Sequence, residues 1–195
     1  FIPSSEEECK AVSDNIDLFN ANSIDTSIGN SEIVDVMTDK FSFLDYLDNN
    51  GVDVGRFYSI NLLDDVLKSL NNLGYPENKV VLKPRNGSGS RGVLIVDSDL
   101  KVLNEIIPDR NCAEGNIELI VEYAKNNKID FSSYMAMEYY SGDVYDIDCV
   151  ARDGNAINVV PRLRKYDNPL SPYNEGCIIS QDKNIISYVS DLISV

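Results

Sequence analysis

Histidine is missing altogether from this 195-residue chain. That removes Ser-His-Asp and Cys-His nucleophilic arrangements, phosphohistidine chemistry and histidine-ligated metals. Paired cysteines are missing too. Cys9, Cys112, Cys149 and Cys177 stand apart with no C-x-x-C, so neither a zinc site nor a redox motif is spelled out, and they read as reduced thiols of a cytoplasmic protein. Positive charge is scarce, with 17 Lys and Arg against 32 Asp and Glu and a formal net charge of −15. Such a body repels phosphate backbones, which argues against a nucleic-acid partner; most of the carboxylates read as solvated surface. No apolar run approaches the ~20 residues that a membrane-spanning helix needs. The opening Phe1-Ile2-Pro3-Ser4 lacks the basic start and apolar core of a signal peptide. No initiator methionine is present, so the chain is expected to be a processed or excised piece. What is left for chemistry is carboxylates, Lys, Arg, backbone amides and a hard metal held through oxygen.

Against these absences stands a glycine-rich stretch, Gly87-Ser88-Gly89-Ser90-Arg91-Gly92, spaced as G-x-G-x-x-G. In a dinucleotide-binding fold that spacing opens a helix. Here Val80-Val81-Leu82-Lys83 precedes it and Val93-Leu94-Ile95-Val96 follows, both apolar and rich in β-branched residues. Strands on both sides make the stretch the tip of a β-hairpin. No Gly-Lys-Ser/Thr closes it, so it is not a P-loop; Lys83 precedes it, whereas a protein kinase carries that lysine after the loop.

The remaining pattern mixes helices and strands. Residues 5–20 read as a helix, residues 30–37 as a helix start, and Phe41–Leu47 as an amphipathic helix closed by Asn49-Asn50-Gly51. A short strand ends at Ile60, and Leu62–Leu73 with Gly74 behind it reads as a capped helix. Asp97-Ser98-Asp99 predicts a helix over 99–107, and another covers 117–126. Strands are expected at 134–137, 144–151 and 156–160, the last two joined through Asp153-Gly154, a strong hairpin signal. A final helix runs from Asn184 to the end. Several hairpins interleaved with helices predict an α+β class with largely antiparallel sheets and flanking helices.

Three constellations carry candidate chemistry. Lys83, with Arg85, sits before the loop, where a strand-borne cation can neutralise phosphate while small residues let backbone N–H groups approach; an exposed hairpin with a surface lysine is the plain alternative. Glu138-Tyr139-Tyr140-Ser141-Gly142 ends a strand and can offer backbone groups to a base, or merely close the strand. Asp146 and Asp148 alternate onto one strand face, suited to ribose hydroxyls, a metal or simply solvent.

In this order the elements resemble the ATP-grasp enzymes, and among them the carbamoyl-phosphate-synthase-like branch. The resemblance spans roughly residues 1–190. Asp39-Lys40-Phe41 looks like the branch's Asp-Lys/Arg element, whose cation reaches nucleotide phosphates. Lys83, Arg85, Ser88, Gly89, Ser90 and Gly92 look like its phosphate-binding lysine and Gly-rich flap. Glu138, Tyr139 and Tyr140 match its adenine hinge, and Asp148 its acidic residue on the next strand. Pro161-Arg162-Leu163-Arg164 looks like its Pro-Arg-x-Arg, with Arg162 and Arg164 at the acyl-phosphate end. Where the family carries a ribose-binding Glu this chain has Val144-Tyr145, leaving Asp143 or Asp146 for that role. The family's metal carboxylates lie on a later segment, so Mg²⁺ is implied as a cofactor with its ligands outside this stretch.

The resemblance implies a division into the trailing edge of a preceding domain (1–30), a helical linker (31–78), a small subdomain with the flap (79–140) and the start of a second, truncated one (141–195). It implies ATP and an unidentified small carboxylate as partners, no membrane, and a homodimer as one option. The expected parent is an ATP-dependent carboxylate–amine ligase acting through an acyl phosphate, with this piece binding ATP poorly and inactive alone. A non-catalytic nucleotide-binding module or split-enzyme subunit is the alternative, and a small-molecule phosphotransferase a third reading. Lys83→Ala, or Val at Gly89 and Gly92, is expected to weaken nucleotide binding and leave the fold intact.

Overall fold

The structure, a computed structural model, describes residues 1–165 and 176–194. Helix α1 (Glu6–Asp14) starts at Ser5, whose hydroxyl accepts the Glu8 N–H at 3.2 Å. The single helix expected over 5–20 is instead two, α1 and α2 (Ile16–Ala21). Ser13 and Asn15 turn their side chains back onto the carbonyls of Lys10 and Ala11, both at 2.9 Å. Such local bonds compete with helix propagation, and the chain breaks at Asn15. Helix α3 (Ser31–Thr38) is capped by Asn30, and α4 (Lys40–Asn49) by Asp39, which takes the N–H groups of Phe41 and Ser42.

Six strands form the larger sheet: β1 (Phe57–Ile60), β2 (Val80–Pro84), β3 (Leu94–Val96), β4 (Asn104–Ile107), β5 (Cys112–Gly115) and β6 (Tyr134–Glu138). Their order is β1-β6-β2-β3-β5-β4, antiparallel throughout except for the parallel pair β3–β5. Strands β2 and β3 pair Val80 with Val96 and Leu82 with Leu94, so the expected hairpin is present with the Gly-rich loop at its tip. The helix expected over 99–107 is not. Asp97 is buried, pairs with Lys79 at 2.6 Å and accepts the Asp99 N–H at 3.0 Å. That arrangement makes a turn rather than a helix cap, and Asn104–Ile107 then runs as an edge strand against β5, which sequence reasoning missed.

One face of this sheet packs against α5 (Leu63–Asn72) and α6 (Ile117–Asn126). Its core holds Ile60, Leu70, Leu82, Leu94, Val96 and Ile120, all essentially solvent-free. Helix α5 begins where the Asp65 carboxylate takes the N–H groups of Asn61 and Leu62, each at 3.0 Å. A second sheet has the order β7 (Tyr145–Arg152), β8 (Asn155–Arg164) and β9 (Cys177–Ile179), covered by α7 (Lys183–Ile193), which packs on β8. The β7–β8 hairpin turns at Asp153-Gly154 as expected, both with φ positive. Strand β9 was not anticipated. Val195, where the last helix was expected to end, lies outside the described residues.

Candidate functional site

Strand alternation sends Val80 and Leu82 into the core and turns Val81 and Lys83 to the opposite face. That face floors a cleft of about 630 Å³, within the ~300–1,000 Å³ common for small-molecule sites. Its floor is apolar, from Val81, Val93, Ile95, Ile106 and Met137, and the segment Glu138–Val144 forms its rim. Polar groups are few: Lys83, and Glu114 bonded to the Asn104 amide at 2.8 Å.

Lys83 is half-buried, and among the described residues it makes neither an ion pair nor a hydrogen bond. Burial, and then repulsion from nearby Lys40, pushes its ammonium down to about 8. An apolar cleft in a chain of net charge −15 thus keeps a cation that pairs with no carboxylate among the described residues. This arrangement costs stability and suits an anionic ligand.

The loop between β2 and β3 is held from two sides. Lys40, at the start of α4, donates through Nζ to the carbonyls of Arg85 and Gly87, and burial lowers its pKa as well. Arg110, in the 3₁₀ turn Pro108–Arg110, donates to the Gly89 carbonyl, and its own carbonyl accepts the Gly92 N–H at 2.7 Å. The Ser88 carbonyl accepts from Arg91 at 3.2 Å; Gly89 and Ser90 sit at φ +69° and +56°. Gly92 is a packing position. At φ +70°, a Cβ there would lie 2.4 Å from the Tyr134 hydroxyl and 3.0 Å from Pro84. The expectation that valine at Gly92 leaves the fold intact is therefore corrected. Valine at Gly89 likewise meets Arg110, 2.5 Å from the Cβ position.

Arg85, predicted to reach phosphate, is committed elsewhere. Its Nη2 lies 2.7 Å from the Asp39 carboxylate, Nε bonds both oxygens of that group, and the guanidinium stacks 5.0 Å from the Phe41 ring. Burial opposes the charged form of Asp39, but Arg85 and the N–H groups of Ser42 and Phe41 outweigh it and hold the carboxyl below its ordinary range. The pair bolts α4, and hence Lys40, to the loop-bearing hairpin.

At the rim, the Glu138 side chain turns to Arg56. It accepts the Arg56 backbone N–H at 3.0 Å and its Nε at 2.7 Å, while Arg56 also donates to the Asn72 and Leu73 carbonyls at the end of α5. Tyr140 donates its hydroxyl to the Val54 carbonyl at 3.0 Å, and Tyr139 lies under Lys79 at 5.7 Å. Tyr139 and Tyr140 lie beyond the last ladder pair, Val80–Glu138, so their backbone groups are not committed to the sheet. Asp143 is exposed beside them.

In the second sheet, Asp146 and Asp148 do share a face, as read from alternation, and Arg162 and Arg164 share it with them. The pairing runs diagonally: Arg164 Nε lies 2.9 Å from Asp146, and Arg162 Nε lies 2.6 Å from Asp148 with Nη2 at 3.0 Å. The Asp148 contact, with Cys177 at 3.9 Å, raises the pKa of Arg162 further. Each aspartate is thus bound to an arginine, and among the described residues no group of three acidic or cysteine side chains is placed to hold a metal ion. The donor set present does not fit Mg²⁺ by itself.

Lys40 lies on the loop and near Lys83, the grouping that the sequence suggested, whereas Arg110 and Arg56 were not among the residues it singled out. Neither carries a local signal: Arg110 meets Gly89 across 21 residues and Arg56 meets Glu138 across 82.

No protein-family model matches the chain, and no curated protein matches it in sequence. Solved structures do match in fold. The biotin carboxylase domain dimer of Hydrogenobacter thermophilus 2-oxoglutarate carboxylase, in complex with MgADP, ADP and bicarbonate, aligns at TM-score 0.62 and 16% identity over 99% of this chain and 40% of its own. Bacillus anthracis D-alanine–D-alanine ligase, complexed with ATP, aligns at 0.53 and 16% over 91% and 53%. Staphylococcus aureus N5-carboxyaminoimidazole synthetase, complexed with ADP, aligns at 0.54 and 13% over 97% and 42%. The chain spans about half the length of these neighbours or less.

Proposed function

The chain has the ATP-grasp fold, and we propose that it uses the cleft under the Gly-rich hairpin to bind ATP as part of a carboxylate–amine ligase of the carbamoyl-phosphate-synthase-like kind. The observation that carries this reading is Lys83, a cation on an apolar floor with no ion pair among the described residues, beside Lys40 and a loop whose N–H groups from Gly87 to Arg91 no described backbone carbonyl takes. The base would rest against Met137 with the Tyr139–Tyr140 backbone at its edge. The triphosphate would run toward Lys83, Lys40 and the loop, and Asp143 would face the ribose.

In the reaction, a substrate carboxylate oxygen attacks the terminal phosphorus of ATP, the bond to the β-phosphate oxygen breaks, and ADP leaves with that electron pair. The amine nitrogen then bonds to the carbonyl carbon of the acyl phosphate, the carbon–oxygen bond to the phosphate breaks, and inorganic phosphate leaves with the electron pair and the proton that the nitrogen gives up. Lys83 and Lys40 neutralise charge on the phosphates, and water is kept from the base by the apolar floor. Mg²⁺ would be supplied with the nucleotide. A cytoplasmic location, where ATP is available and the four free cysteines stay reduced, belongs to the same reading, as does a homodimer.

The test is calorimetric titration of the chain and its Lys83→Met variant with MgATP, alongside ADP release with a panel of carboxylates. Saturable, weak binding lost in the variant, with no ADP formed by this chain alone, is expected. Failure of millimolar ATP to bind the unaltered chain refutes the proposal. A second reading, a non-catalytic nucleotide-binding module or split-enzyme subunit, is favoured by Arg162 and Arg164, both engaged by aspartates. Turnover with any carboxylate by a longer protein that contains this chain would exclude it.

A further inference from the structure

Arg110 grips the Gly-rich loop at two points. Its guanidinium takes the Gly89 carbonyl and its backbone carbonyl takes the Gly92 N–H at 2.7 Å. Lys40 takes the Gly87 carbonyl on the other flank. The cations therefore anchor loop oxygens, while among the described residues no backbone carbonyl takes the N–H groups of Gly87 to Arg91. A loop whose carbonyls are tied outward and whose N–H groups are uncommitted is arranged for an anion. The 3₁₀ turn that carries Arg110 is fixed in turn by Asn111, at φ +53°, and by entry into β5.

We propose that Arg110 is a positioning residue: a clasp that holds the loop with its N–H groups presented to the polyphosphate of a nucleotide. The clasp is a property of the chain itself, and only its effect on affinity rests on the nucleotide reading above.

The test uses Arg110→Gln, which keeps the length and removes the charge, and Arg110→Lys, which restores the charge. Trypsin cleavage after Arg91 reports loop release, and cleavage after Arg152, in the distant β7–β8 hairpin, is the internal reference. Loss of a charge-assisted hydrogen bond is expected to speed Arg91 cleavage by about tenfold in Arg110→Gln, with Arg152 cleavage unchanged and Arg110→Lys close to the unaltered chain. The MgATP concentration that half-protects Arg91 should rise by about tenfold in Arg110→Gln. Equal Arg91 cleavage in Arg110→Gln and the unaltered chain overturns the clasp, as does a parallel rise at Arg152, which would mean general loosening. If Arg110→Gln speeds Arg91 cleavage but MgATP protects no variant, the clasp stands and the nucleotide reading falls.

Discussion

Replacing Lys83 with methionine should make the protein more stable and the site worse. In the folded chain the ammonium is pushed from 10.5 down to about 8. At about 1.4 kcal/mol per decade, the charged form at neutral pH is held at a cost of about 3 kcal/mol. Lys83 is half-buried, and solvent relaxation around its head group brings the expected gain to about 1.5–3 kcal/mol. Methionine keeps an unbranched apolar stem against Val81 and Met137. For a chain of this size the gain appears as a rise in melting temperature of about 3–10 °C at pH 7.

The pH dependence gives the sharper check. Because the folded pKa lies below the unfolded one, the unfolded chain holds the extra proton between about pH 8 and 10.5. The cost is full below about 8 and disappears above 10.5, so the advantage of Lys83→Met must shrink through that window. Cys112 and Tyr134, which burial pushes up to about 11 and about 12, titrate in both proteins and cancel in the difference. Thermal unfolding followed by circular dichroism at pH 7 and pH 10.5 measures this, and calorimetry should show MgATP affinity falling about 10–100-fold with the lost charged contact. A variant less stable than the parent at pH 7, or equally advantaged at both pH values, would refute the reasoning.

Three further outcomes are expected. Gly92→Ala should cost more than 2 kcal/mol in urea unfolding, since the new Cβ meets the Tyr134 hydroxyl at a positive φ, and adding Tyr134→Phe should recover part of the loss. Asp39→Asn should destabilise by about 2 kcal/mol at pH 7 through the weakened cap and Arg85 pair. Because the Asp39 carboxyl is held below its ordinary range, its stabilisation is present above that range and is lost as pH falls through its folded pKa, so the two proteins should converge in strong acid. A double-mutant cycle on Asp148→Asn and Arg162→Gln should give a coupling of only about 0.2–1 kcal/mol, because Asp148 is 64% exposed.

The hairpin was legible because its β-branched flanks carry their own signal, and the stretch from Asn30 marked a helix start that the structure keeps. Strands β4, β5 and β9 are three or four residues long and owe their state to neighbours already in place, which no local pattern records. Alternation alone placed Asp146 and Asp148 together. It could not show that the β7–β8 register sets Arg162 and Arg164 diagonally across from them, because register depends on where the turn closes. Arg85 was legible as a cation beside the loop but not as the partner of Asp39, 46 residues earlier.

Those crossed pairs on β7 and β8 also change how the second sheet meets a ligand. Taken together, Asp146, Asp148, Arg162 and Arg164 sum to zero charge, so from a distance this face neither draws nor repels an anion. At contact Arg162 and Arg164 already hold carboxylates, so an incoming anion competes for them with Asp148 and Asp146. Apolar or cationic molecules have nothing to offer in that competition, while a carboxylate or phosphate arrives with the same chemistry as the group it displaces.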